Sequence, residues 1–268
     1  MGYQLKNNFT KGSIIECKPD IILLDANYTT LSGDKPPWKM VCAYAEVTMQ
    51  KTQYRLTNTT YQKLFAVFKT QLSRQFILSL TFNHKFVTFY ACDCAGVVHT
   101  KLLLINGCKK VLVQLVVGFA FGEEYLLGYD PMMKCHDNEI ITISVNSEEY
   151  TIIKKLFSSF TMRGHVTQCW HVCKGDQHFF LKDSWIDTNW QLSEIMVLGE
   201  IIDVRHVPTL VTGVNVLLPS GQLDNTDVLS RDKRLWQEGV ADERSVQAFV
   251  NISFEERAYR GLYWCHPR

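Results

Sequence analysis

Phe179-Phe-Leu-Lys182-Asp-Ser-Trp185 reads as the end of an apolar strand that carries a lysine, and its surroundings decide the fold. Upstream, Thr161–Cys173 and Gln177–Lys182 form a predicted hairpin turned at Lys174-Gly-Asp, with Gly164 ahead of its first strand. Downstream, Trp190–Asp203 repeats Leu192, Ile195, Leu198 and Ile202 at helical spacing. That helix bears Glu194, with Glu200 a rival carboxylate. Val207–Val216 returns to strand composition, broken by Gly213. Residues from Pro219 to Arg244 are polar and read as an insertion, and Phe249–Arg268 is aromatic but short.

Before residue 160 the pattern is α/β. Ile14–Leu24 and Trp38–Met49 have strand composition and are separated by the turn-forming Ser-Gly-Asp-Lys-Pro-Pro. Asn58-Thr-Thr-Tyr opens a helix with Leu64, Phe65, Phe68 and Leu72 at helical intervals. Phe76–Phe82 and Lys85–Cys92 are expected strands around Asn83-His84. Asn106–Phe121 is expected as a buried helix. Glu139–Val145 and Tyr150–Ile153 are a predicted hairpin turning at Asn146-Ser147.

The chain of 268 residues is long enough for one large domain or two modest ones. With 46% hydrophobic and 21% charged residues it is neither disordered nor collagen-like nor a coiled coil. Residues 1–160 hold 17 Lys+Arg against 13 Asp+Glu, and residues 161–268 hold 11 against 14. The basic type shifts from 15 Lys and 2 Arg to 3 Lys and 8 Arg, which is compatible with a domain boundary near 160. A net charge of +1 gives no basic field, so nucleic acid is not an expected partner. The nine scattered cysteines and the absence of a leader pattern in Met1-Gly-Tyr-Gln-Leu-Lys predict reduced thiols in cytoplasm or nucleus. Val111–Phe121, the most apolar segment, is too short to span a bilayer.

Two constellations carry chemistry. Pro19-Asp20 lies in one apolar strand and Glu46 near the end of the next, as a divalent metal site for phosphodiester hydrolysis requires. The order strand, Pro-Asp, strand, Glu-x-Lys, helix, strand resembles the PD-(D/E)xK nuclease-like fold, but threonine stands at position 48 where that motif has lysine. The second is Lys182 followed by a helix bearing Glu194, with Gly164 in the preceding loop. A kinase small lobe holds ATP this way, its lysine gripping the phosphates and its helix glutamate orienting the lysine. Cys169, His171 and Cys173 alternate on one strand face. They lack the paired spacing of a zinc site, so a buried strand face is expected and zinc is not.

Several strings in this order resemble the fungal-type protein kinase family. They are Lys18-Pro-Asp-Ile-Ile-Leu-Leu, Trp38 leading to Glu46, Gln71-Leu-Ser-Arg-Gln-Phe, Leu127-Gly-Tyr-Asp-Pro, Arg163-Gly, Leu181-Lys-Asp-Ser-Trp, Ser193-Glu194 and His206-Val-Pro-Thr-Leu. Asp93-Cys-Ala-Gly matches the family's Asp-Arg-Ser-Gly imperfectly. The resemblance implies an α+β chain: a nuclease-like α/β domain over 1–160, then a kinase small-lobe-like antiparallel sheet with one helix over 161–268. It implies ATP with Mg²⁺, bound through Gly164, Lys182 and Glu194, and phosphoryl transfer to Ser/Thr. Catalysis also needs a His-Arg-Asp loop and an Asp-Phe-Gly aspartate, and neither string occurs in these residues. The expectation is therefore a truncated or pseudokinase member with no catalytic residue of its own. The alternatives are a metal-dependent nuclease using Asp20 and Glu46, or an interaction module that meets a protein partner through surface left by a missing large lobe.

Overall fold

The computed structural model describes residues 4–6, 18–25, 36–49, 53–94, 97–136, 139–159, 166–187, 194–201, 204, 207–224 and 256–264. It is a mixed α+β protein with two sheets and few helices. Contacts group the described residues into two units, which part between Asp130 and Pro131.

The first unit contains β1 (Gln4–Lys6), β2 (Ile21–Leu24), β3 (Val41–Thr48), α1 (Gln53–Thr70), β4 (Ile77–Asn83), β5 (Phe86–Cys92), β6 (Val97–His99), β7 (Leu103–Leu104) and α2 (Lys109–Phe121). The sheet runs β1-β2-β3-β4-β5-β6, with β7 also on β5. Every pairing is antiparallel except β3 with β4, which α1 connects as a crossover. Strand alternation sorts the two faces. Ala43, Ala45, Leu80 and Val87 enter an apolar cluster with Leu112 and Phe119 of α2. The opposite face presents Tyr44, Glu46, Ser79, Thr81 and Thr88, all buried. Tyr44 Oη donates to the Thr60 carbonyl of α1 at 2.9 Å on that side.

Two strings far apart in sequence bind each other here. Gln71 Nε2 donates to the Trp38 and Val41 carbonyls at 2.7 and 2.8 Å. Arg74 donates to the Cys42 carbonyl and lies 4.0 Å over the Tyr129 ring. The Gln75 amide donates to Gly128 O at 2.7 Å, and the Asp130 amide to Ser73 O at 2.8 Å. Gly128 takes φ +96°, and a Cβ there would lie 2.0 Å from the Phe76 carbonyl, so only glycine fits. Tyr129 Oη donates to Cys42 Sγ at 3.7 Å. Burial pushes the Cys42 thiol up to about 11, with Arg74 and the Tyr129 bond opposing.

α2 corrects one expectation. The segment is helical, but of its large apolar side chains only Phe119 is buried, while Val111, Val113, Val116, Val117 and Phe121 are exposed. A helix docked on a sheet buries one stripe, and this sequence is apolar all round, so its outward side stays apolar.

The second unit is a seven-stranded antiparallel sheet. Its strands are β8 (Met133–His136), β9 (Glu139–Val145), β10 (Glu148–Ser158), β11 (Gln168–Lys174), β12 (Gln177–Asp187), β13 (Leu210–Asn215) and β14 (Glu256–Trp264). The order is β13-β14-β12-β11-β10-β9-β8, and α3 (Glu194–Glu200) follows β12. Charge composition put a break near 160, yet 133–158 pair within this second sheet, because hydrogen-bonded register does not follow a Lys-to-Arg shift. The turn at Asn146-Ser147 has φ 51° and 65°, positive at both central residues as a right-twisted two-residue hairpin demands. Gly175, at φ +57°, turns β11 into β12. Met133, Ile143, Val145, Tyr150, Trp170, Val172, Phe179 and Leu181 form one core. No helix among the described residues is long and apolar enough to cross a membrane.

Candidate functional site

Alternation along β12 separates Leu181, which enters the core, from Phe180 and Lys182 on the other face. Lys182 stands opposite Cys169 on β11 and opposite Gly261 on β14. Gly261 carries no side chain, so the residue paired with Lys182 on that flank puts none against the lysine stem. Two residues on, Tyr263 is register partner to Phe180, their ring centroids 5.8 Å apart.

Glu194, the first residue of α3, closes the group. Lys182 Nζ forms an ion pair with its Oε2, and Tyr263 Oη donates to its Oε1 at 3.1 Å. Both carboxylate oxygens are thus held, one by an ammonium and one by a phenol that is itself buried. The ion pair stays open to water, its side chains 28% and 38% exposed. An ammonium has three donors. Glu194 engages the lysine from one side, and the rest can meet an anion. Burial raises the Cys169 thiol above its ordinary value and the neighbouring Lys182 charge partly offsets this.

Of the three residues expected at a phosphate site, Lys182 and Glu194 are brought together, and Gly164 lies outside the described residues. Tyr263 was not foreseen. It lies 81 positions beyond Lys182 (263 − 182), on a strand that returns between β12 and β13, and only the sheet register reveals it. The Cys169, His171, Cys173 face is this half-open side, whereas the core takes Trp170 and Val172. His171 Nε2 lies 2.9 Å from His178 Nδ1. Among the described residues no three His, Cys, Asp or Glu side chains converge as a metal ion requires.

In the first unit Asp20 stands just before β2, and its Oδ2 accepts the Val47 amide at 2.8 Å. Glu46 is buried on β3, where its Oε2 pairs with the buried Lys63 of α1. Its Oε1 is buried without a hydrogen-bond partner among the described residues. Burial raises the Glu46 carboxyl above its ordinary value. Lys63 pulls it back and the Asp20 charge adds to the rise. Lys63 was also missed, although Leu64 and Val67 beside it mark the buried side of α1.

The family model described as Fungal protein kinase matches residues 18–257. Comparison with curated proteins and with solved structures returns no match. The match runs from the strand after Lys18, through the Lys182–Glu194 pair, into β14, and on this span the chain belongs to the fungal protein kinase family.

Proposed function

We propose that the second unit binds the phosphates of ATP·Mg²⁺ at Lys182. In this reading Glu194 orients the lysine and Tyr263 steadies the glutamate. The observation that carries it is the Lys182–Glu194 ion pair, formed between the strand after a hairpin and the helix that follows. Kinase small lobes use that order of elements, and there the paired lysine contacts the nucleotide phosphates. Partial exposure supports the reading, because a lysine that meets a ligand must be reachable from water.

Phosphoryl transfer is a separate matter. These 268 residues contain neither a His-Arg-Asp nor an Asp-Phe-Gly string, so they supply no catalytic base and no such metal aspartate. We therefore read this stretch as binding nucleotide without transferring phosphate.

The test is thermal denaturation with and without millimolar ATP and Mg²⁺. A rise in Tm that Lys182→Ala removes supports the proposal, since a ligand bound only to the folded state stabilises it. No rise for the unaltered chain overturns it. Incorporation of label from [γ-³²P]ATP into a Ser/Thr substrate would overturn the non-catalytic part alone.

At the other constellation, Lys63 on Glu46 and the Val47 amide on Asp20 favour a structural arrangement over a metal site. A divalent cation would have to displace an ammonium that already neutralises the carboxylate. No hydrolytic step is assigned to it.

A further inference from the structure

We propose that His171 and His178 together chelate a zinc ion on the open face of the second sheet, beside the turn from β11 to β12. The site is independent of the nucleotide reading. His178 comes four residues before Lys182 on β12, which puts their Cα atoms about 13 Å apart along the strand.

Register puts the two histidines on one face. His171 pairs with Phe180 and His178 with Cys173, so the imidazoles meet on the diagonal across the hairpin. His171 Nε2 lies 2.9 Å from His178 Nδ1, with ring centroids 5.0 Å apart and ring planes tilted by 43°. The rings thus meet through their nitrogens and not as stacked faces. Two nitrogens bound to zinc at about 2.0–2.1 Å and a tetrahedral angle stand about 3.3–3.4 Å apart. An opening of about half an ångström, with a swing of each ring toward one side, aims both lone pairs at a single ion.

The backbone under the pair is fixed. Val172 and Phe179, next in sequence to the two histidines, are register partners, and both lie in the core of the sheet. Donors carried on a packed strand pair lose less freedom in closing on an ion than donors on a loop. His171 is half-buried and His178 exposed, so water and ions reach the site. As a hydrogen bond alone the contact contributes little at such a surface, because water can replace either partner.

In the metal-free pair one of the two facing nitrogens carries a proton and the other accepts it. Zinc takes both lone pairs, so the donating ring gives up that proton and gains one at its other nitrogen, with no net release. Imidazole nitrogen suits zinc and its neighbours in the transition series, whereas Mg²⁺ prefers oxygen, so this is not the ion of a bound nucleotide. Among the described residues no third His, Cys, Asp or Glu converges with the pair. Water therefore fills the remaining positions, and the ion exchanges with solution. Lys154, opposite His171 on β10, repels a cation, but it is exposed and its ammonium can stand off in screening solvent.

Imidazole ¹H–¹⁵N correlation spectra of the full, nucleotide-free chain, titrated with Zn²⁺ from about 1 μM to about 1 mM, read the site directly even though the chain holds other thiols and histidines. The expected result is that His171 Nε2 and His178 Nδ1 both move to metal-bound shifts along one saturation curve. His171→Asn should weaken the response of His178 at least about tenfold, and His178→Asn that of His171, because a chelate loses its effective concentration with either arm. Both variants should keep the metal-free Tm, since the contact is exposed. Millimolar Mg²⁺ should move neither ring. Shifts in neither nitrogen, or in one alone, overturn the proposal. So does a ring that responds as before when its partner is asparagine, which would mark adventitious binding by a single histidine. Should a variant fail to fold, the spectra of the unaltered chain decide.

Discussion

Each unit holds a lysine–glutamate pair between a strand and a helix, and the two have opposite characters. Glu46 and Lys63 are sealed, their side chains 10% and 5% exposed, with one carboxylate oxygen lacking a hydrogen-bond partner among the described residues. Lys182 and Glu194 are open, and both glutamate oxygens are engaged. A sealed pair has its charges taken from water, so each partner depends on the other and neither is free to meet a ligand. An open pair contributes little to stability and keeps its lysine available. The same two side chains therefore form a contact sealed from water in one sheet and a water-exposed one in the other.

The sharpest way to break the comparison is Lys63→Met, which leaves Glu46 buried without its cation. We expect a loss of about 3–5 kcal/mol in urea-unfolding free energy, the usual cost of breaking a buried pair. Removing both partners, as Lys63→Met with Glu46→Leu, should recover most of it. If the single variant unfolds like the unaltered chain, the pair is not sealed. Lys182→Ala is the counterpart and should lower unfolding free energy by no more than about 1 kcal/mol. It should nonetheless remove the nucleotide-dependent stabilisation, about 2.7 kcal/mol at a hundredfold excess over Kd. A large intrinsic loss of stability would make the open pair structural too.

Tyr263→Phe deletes one hydrogen bond to Glu194 and keeps the ring against Phe180. An effect near 1 kcal/mol is expected, read as severalfold weaker ATP·Mg²⁺ binding by calorimetry. Affinity unchanged in that variant would remove tyrosine from the site. The smallest effect concerns pH. The Glu46 carboxyl is raised in the folded state above its unfolded value near 4.5. Its protonated form therefore favours folding, a contribution present in acid and lost as pH rises through the folded value. The unaltered chain should lose ground to Glu46→Gln in urea titrations as pH rises above the unfolded value near 4.5. A difference that grows in the opposite direction would mean that Lys63 outweighs burial.

Local signals were legible where the physics is local. Asn146-Ser147 turns where turn chemistry puts it, Gly175-Asp176 turns within the expected Lys174-Gly-Asp, and the turn expected at Asn83-His84 falls one residue later at His84-Lys85, each between strands whose β-branched and aromatic residues announce them. Lys182 and Glu194 were readable because one strand–helix connection separates them. Tyr263 and Lys63 were not, since each reaches its partner through tertiary placement that no neighbouring residue encodes. For α2 the sequence revealed the helix and misled about burial: an all-round apolar helix looks the same whether the chain covers it or leaves it bare. The 71–76 and 127–131 strings resembled the family by their letters, but that Arg74 stacks on Tyr129 and Gly128 lies against the Phe76 carbonyl is known only from the fold.

The placement of β14 has a consequence for how the protein is made. The strand lies between β12 and β13 yet leaves the ribosome after both. At translation speeds of about 5–20 residues per second, residues 182 and 263 are separated by roughly 4–16 s. During that interval β12 presents a bare edge, Lys182 lacks Gly261 as its neighbour and Glu194 lacks its phenol. The nascent second unit thus passes through a stage with an unpaired strand beside Lys182, and synthesis of β14 both heals that edge and supplies the phenol that holds Glu194.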